Sequence, residues 1–233
     1  MSLSRIRRTL VPAVMAVALL SGCSGNGTAP GTAVSIGDDS VSKSEVSRVA
    51  DAVCRSIEDN LSEAGEQVRL SELKQYALSL LTVRMQAEQV ADEQGIEPNA
   101  AYHQDVVRVQ GEAETIPEDL RDDYVTALST EAYLTSLMAQ MGERALAAEG
   151  VTTPSEEEIM QRGSQLFATQ VVERGAEVDP SYGAVMEEGA LVLAETGASV
   201  PVSGPAIEAL TEEPNPDYVG SLPESQRCGD GPR

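Results

Sequence analysis

The sequence predicts a mainly α-helical fold: an elongated bundle of long amphipathic helices, led by a short strand and followed by an irregular tail of short strands packed back on it. Three observations carry that expectation. Apolar residues recur at three- and four-residue steps over most of positions 43–170. Helix-starting Ser, Asn and Pro precede those stretches, and Gly follows them. Beyond about position 170 the period is lost, and Pro205, Pro214, Pro216 and Pro223 punctuate a more extended segment.

The chain opens with Arg5, Arg7 and Arg8, followed by an uncharged apolar stretch from Leu10 to Leu20. That stretch falls short of the ~20 residues a membrane-spanning helix needs, and it reads as a secretory signal. Leu20-Ser21-Gly22-Cys23 then resembles a bacterial lipobox. The resemblance implies cleavage before Cys23, a diacylglycerol thioether on its sulfur, and attachment to the outer, extracytoplasmic face of the cell membrane by lipid alone. Residues 1–22 are thus expected to be a lipoprotein signal peptide. Residues 23–32 form a flexible tether of Gly, Ser, Thr and Pro, whose average reach is roughly 15–18 Å.

A folded unit is expected over 33–170. Ala33-Val34-Ser35-Ile36 alternates as a short strand, and Gly37-Asp38-Asp39 supplies a turn. Ser42 and Glu45 fit a capping box that opens a helix striped by Val46, Val49, Ala50, Val53, Ile57 and Leu61. A second helix, from about Val68, stops at Gly95. Asn99 caps a shorter one that ends near Gly111. Pro117 opens what reads as the longest helix, running to Gly150, about 50 Å at 1.5 Å per residue. Thr153-Pro154-Ser155-Glu156 reads as a further capping box with Pro154 at the first helical position, leading a helix to about Gln170.

Residues 171–233 form a C-terminal extension. Val171-Val172 and Ala176–Val178 read as short strands, Asp179-Pro180-Ser181-Tyr182-Gly183 as a turn, and Ala190–Ala194 and Ser199–Val202 as edge segments. Tyr218, Val219 and Leu222 precede Cys228, which suggests a tail strapped onto the helices.

The chain has three cysteines. With Cys23 lipidated, Cys54 and Cys228 allow one intramolecular bridge, and disulfides persist outside the cytoplasm. The alternative is two free or intermolecular thiols.

Charge narrows the partners. The formal net charge is −22, and the leader carries three arginines and no acid, so its removal leaves a still more acidic protein. Phosphate repels such a chain, so nucleic acid is an unfavourable partner; a cationic partner is compatible with the charge, but bulk charge bears more on solubility than on function.

Little in the sequence points to catalysis. The lone histidine, His103, cannot build a Ser-His-Asp triad or a multi-histidine metal site by itself. Ser40–Lys43 and Ser71–Lys74 lack the Lys-Thr-Gly element that would give Ser-x-x-Lys strings enzymatic meaning. The acid runs Glu156–Glu158 and Glu187-Glu188 read as solvated faces. No cofactor and no metal site are expected.

The order of parts resembles the N-terminal domain of SurA- and PrsA-type extracytoplasmic foldases, which belong with the trigger-factor-like peptide binders. Val34, Ile36, Gly37, Val41, Ser42 and Glu45 match the opening pattern, and Pro154–Ile159 is similar to the helix opening before that family's isomerase domain. The strings VDPSYG and LPESQRCG are similar to endings of actinobacterial lipoproteins in the group. The parvulin-type isomerase domain that the resemblance leads one to expect next is not recognisable in residues 171–233. Its cleft needs several histidines and aromatic residues, whereas this chain has one His and one Phe, both before the expected start.

The resemblance implies a lipid-anchored, non-catalytic chaperone-like protein that binds unfolded or secreted polypeptides. A client groove would be sought at Leu80, Leu81, Met85, Leu134, Leu137, Met138 and Met141, where adaptable methionines cluster among leucines. Ordinary core packing is the competing reading of those seven residues. A scaffold lipoprotein serving one dedicated envelope partner is the alternative function.

Overall fold

A computed structural model describes residues 28–194, 203–209, 211 and 214–229. The lipobox with Cys23, most of the tether, and Ser199–Val202 lie outside the described residues. Within them the protein is mainly helical with a few short strands.

Strand β1 (Thr32–Ile36) turns into β2 (Asp39–Ser42), and the pair is antiparallel. Helix α1 (Lys43–Ala64) follows with the expected capping box: the Ser42 hydroxyl accepts the Glu45 N–H, and the Glu45 carboxylate accepts the Ser42 N–H at 2.8 Å. Val46, Val49, Ala50 and Val53 are buried along its stripe. A two-residue strand, β3 (Val68–Arg69), leads directly into α2 (Leu70–Gln94). Gly95 ends α2 in the left-handed conformation, with φ 57°. Asn99 caps α3 (Ala100–Glu112), its side-chain oxygen accepting the Tyr102 N–H.

The helix expected to be longest, from Pro117 to Gly150, is instead interrupted. A single 3-10 turn over Glu118–Leu120 precedes α4 (Arg121–Leu128) and α5 (Thr130–Ala148). The cause lies at the junction. The hydroxyls of Ser129 and Thr130 both donate to the Thr126 carbonyl, at 3.3 and 3.1 Å, competing with the helical ladder. The longest helix and the organising one is α2, which touches α1, α4, α5, α6 and the first two strands. Helix α6 (Glu156–Arg174) is also shifted from expectation. Its capping box is Ser155 with Glu158, so Pro154 precedes the cap, and the helix continues through Val171 and Val172.

The tail returns to the helical unit twice. Strand β4 (Glu177–Val178) joins the free side of β1, making a three-stranded sheet ordered β2-β1-β4. A 3-10 turn over Pro180–Tyr182 then leads to a hairpin, β5 (Ala184–Glu187) and β6 (Ala190–Leu193). Its turn places Glu188 and Gly189 at φ 50° and 82°, as a tight hairpin requires. Short helices α7 (Gly204–Glu208) and α8 (Pro216–Ser221) precede β7 (Arg227–Cys228), which pairs with β3.

Burial falls into three clusters. Val34, Ile36, Val46, Val49, Leu73 and Leu78 join the strands to α1 and the first half of α2. Val90, Ile96, Leu137, Met141 and Val171 join the second half of α2 to α5 and α6. Ala52, Val109, Ile116 and Tyr124 seat α3 and α4 against α1.

Candidate functional site

The largest concavity described, about 810 Å³, opens between α1, the start of α2, the Pro117–Leu120 connector and the C-terminal tail. Helix α1 supplies Asp51, Cys54, Arg55 and Glu58 to its wall, α2 supplies Leu70 and Lys74, and the tail supplies Glu224, Arg227 and Cys228. Much of this lining is charged. Arg55 pairs with Glu58 at 2.8 Å, and Arg227 donates to the Gly220 carbonyl at 2.6 Å. Ser47 and Ser225 also line the groove, and its lining includes no histidine.

At the base of the groove the Cys54 and Cys228 sulfurs are 2.05 Å apart, with their α-carbons at 5.7 Å. This is the intramolecular pairing the cysteine count allows. It joins residues 174 positions apart, through a partly exposed Cys54 and a buried Cys228.

Arg69 secures the approach to this bond. Its guanidinium is buried, pairs with Glu72, and donates to the carbonyls of Glu208, Ala209 and Thr211 at 3.2, 3.0 and 2.8 Å. Gln67 donates to the Gly229 carbonyl at 3.0 Å. Sequence reasoning passed over both residues. The Arg69–Glu72 spacing resembles any helix-surface ion pair, and nothing local announces three carbonyls arriving from about 140 positions away.

Along α2 three glutamines do similar work. Gln75 donates to the Tyr182 carbonyl, Gln86 to Gly189 in the hairpin turn, and Gln89 to Ile36 at the end of β1. At the far end of the tail's first return, Lys43 stands 2.7 Å from Asp179. The Lys43 ammonium, followed by the Ser181 hydroxyl and N–H, holds the Asp179 carboxyl down at about 2.

The seven residues considered for a client groove do not share one. Leu80, Leu81 and Met85 pack in the first apolar cluster, and Leu134, Leu137 and Met141 in the second. Met85, Leu137 and Met141 are buried. The Met138 carbonyl lies against Gly163 of α6, so that turn of α5 is covered by α6 itself. The physical reason is the glycine pair: a methyl added at Gly163 would overlap the Met138 carbonyl, and one at Gly142 would overlap the Ile159 carbonyl. Two facing glycines let α5 and α6 approach closely enough to close the stretch that reads, in sequence, as a groove.

An aromatic cluster sits beside the second core. The Arg84 guanidinium lies 3.9 Å from the Tyr133 ring centre and donates to the Tyr102 hydroxyl. Burial works against the Arg84 charge, but Glu88 and Tyr102 outweigh it and hold the guanidinium protonated. Burial raises the Tyr133 phenol. His103 is exposed on α3, tilted against Tyr102 with ring centres 5.4 Å apart.

Among the described residues, no group of three or more His, Cys, Asp or Glu side chains is placed to share a metal ion, and no helix is long and apolar enough to cross a membrane. Glu156, Glu157 and Glu158 are exposed, as are Glu187 and Glu188. No protein-family model, curated protein or solved structure matches the chain.

Proposed function

We infer that the protein is a lipid-anchored interaction protein at the extracytoplasmic face of the membrane, non-catalytic, serving one dedicated polypeptide partner. One observation carries the choice of a dedicated partner over many clients. The helices turn their apolar stripes into separate clusters, and charged groups make up nearly half of the lining of the largest described groove. A holdase for unfolded chains needs a contiguous apolar surface beyond the few hundred Å² usual for a monomer. Here the exposed large apolar side chains described are spread over different elements: Tyr76 on α2, Val107 on α3, Val151 between α5 and α6, Val172 on α6, Val185 and Leu193 on the hairpin, and Ile207 on α7. The formal charge of −22 favours a cationic surface on the partner.

The lipid anchor in this reading rests on Leu20–Cys23 and the basic, apolar leader before it. A second reading, the chaperone-like binder of unfolded or secreted polypeptides, draws on the foldase-like order of parts and on Val172, Val185 and Leu193, which lie on α6 and the hairpin and are all exposed. An aggregation assay separates the two. With purified protein added to several unrelated chemically unfolded chains, the dedicated-partner reading expects no slowing of aggregation at equimolar ratio. Suppression of aggregation across those chains would replace it with the chaperone reading.

A further inference from the structure

We propose that the Cys54–Cys228 bond is a redox latch: a protein dithiol entering the groove opens it in the folded protein, and the C-terminal strap Pro214–Gly229 then undocks from α1 and α2. Access comes first. Both cysteines line the groove of about 810 Å³, and the Cys54 side is partly exposed while Cys228 is 1% exposed. A disulfide reachable from solvent is more open to thiol exchange than one enclosed by packing, and this one forms part of the wall of an open concavity.

The fastening of the strap is the second point. Within Pro214–Gly229 only Val219 and Cys228 are buried. The remaining attachments described are the two-residue ladder of β7 on β3, the Gln67 bond to the Gly229 carbonyl, the packing of the Glu224–Gln226 turn and β7 on α2, and the approach of Gly229 to Glu66 and Leu61. Fixing each residue of a segment costs about as much as one net hydrogen bond returns, so these few bonds do not hold the strap alone. The covalent bond does. The preceding turn is secured separately, because Arg69 holds the carbonyls of Glu208, Ala209 and Thr211 without help from the disulfide. Release therefore stops near residue 214, and Asn215, whose N–H donates to Glu208, marks the hinge.

The exchange balances as follows. A thiolate of the incoming dithiol attacks the Cys54 sulfur from the groove, forming a mixed disulfide. The Cys54–Cys228 bond breaks, and its electron pair leaves with the Cys228 sulfur, which takes a proton from solvent. The second thiol of the reductant then attacks its own sulfur in the mixed disulfide, releasing Cys54 as a thiol. The chain gains two electrons and two protons, and the dithiol becomes a disulfide. Opening uncovers the side of the first apolar cluster formed by Ile57, Leu61, Val68 and Leu70, which Cys228 closes in the bridged form.

The test uses the full chain with dithiothreitol as the dithiol probe, at neutral pH and without denaturant. Alkylation read by mass spectrometry is expected to label Cys54 and Cys228 after this treatment. Hydrogen exchange over 214–229 is expected to quicken by at least about tenfold, while α1, α2 and α5 keep their protection. Reoxidation restores the slow exchange. The proposal is overturned if the bond yields only at denaturant concentrations that melt the helices, or if it is reduced and exchange over 214–229 does not change.

Discussion

Arg69 shows how much one side chain carries when it collects distant backbone. Three carbonyls from the tail and one carboxylate from α2 converge on the guanidinium of Arg69, a residue only 8% exposed. Replacing Arg69 with Met keeps the apolar stem and removes every donor, leaving Glu72 and the carbonyls to water. We expect a loss of roughly 2–3 kcal/mol, read as a lowered denaturant midpoint. Asp179 gives a pH dependence of defined sign. Its carboxyl, held at about 2 by Lys43 and Ser181, sits below the ordinary carboxylate value. The pairing therefore contributes fully above the unfolded-state value near 4, and the contribution is lost as pH falls through about 2. An NMR titration of the Asp179 carboxyl, repeated in Lys43→Met, checks it: the midpoint should move upward when the ammonium is removed, and an unmoved midpoint would assign the shift to Ser181 alone.

At the scale of elements, the crossing of α5 and α6 depends on having no side chain at Gly142 and Gly163. Gly163→Ala raises intrinsic helix propensity yet should destabilise by about 1–3 kcal/mol, because the added methyl meets the Met138 carbonyl. Gly111→Ala on α3, where a methyl would meet nothing within 4 Å, should stabilise by up to about 1 kcal/mol. Thermal unfolding of the two variants should move in opposite directions. The contrast also marks where sequence reading ends. Caps and stripes are local, so Ser42 with Glu45, Asn99, Gly95 and the buried face of α1 were legible before any coordinates. Gly163 reads locally as a weak point in a helix, and its role depends on a partner helix. The break at Ser129 was missed because the apolar period runs through it undisturbed, while the competing hydroxyls of Ser129 and Thr130 leave no trace in a hydrophobic pattern. Which helix covers Leu137 and Met141 is likewise a tertiary fact, out of reach of the methionine and leucine spacing.

Over the whole molecule, the first and last described segments are drawn onto one helical unit. Strand β4 extends the sheet begun by β1, β7 extends β3, and the Cys54–Cys228 bond fixes the last described residues to α1. The cysteine count made that pairing readable, because only two cysteines remain once the lipobox-like Cys23 is set aside. The function was less readable, since it depends on which apolar surface stays open, and the sequence shows only that apolar surface exists. Closed clusters, a groove with many charged groups and a strongly acidic composition are the observations behind the proposal of one complementary partner surface. Crosslinking from the intact envelope, with the chain recovered and its adducts identified by mass spectrometry, tests this most directly. The account predicts one predominant crosslinked protein with a basic contact surface, recovered in near-stoichiometric amount. A broad set of unrelated secreted chains, none predominant, would contradict it.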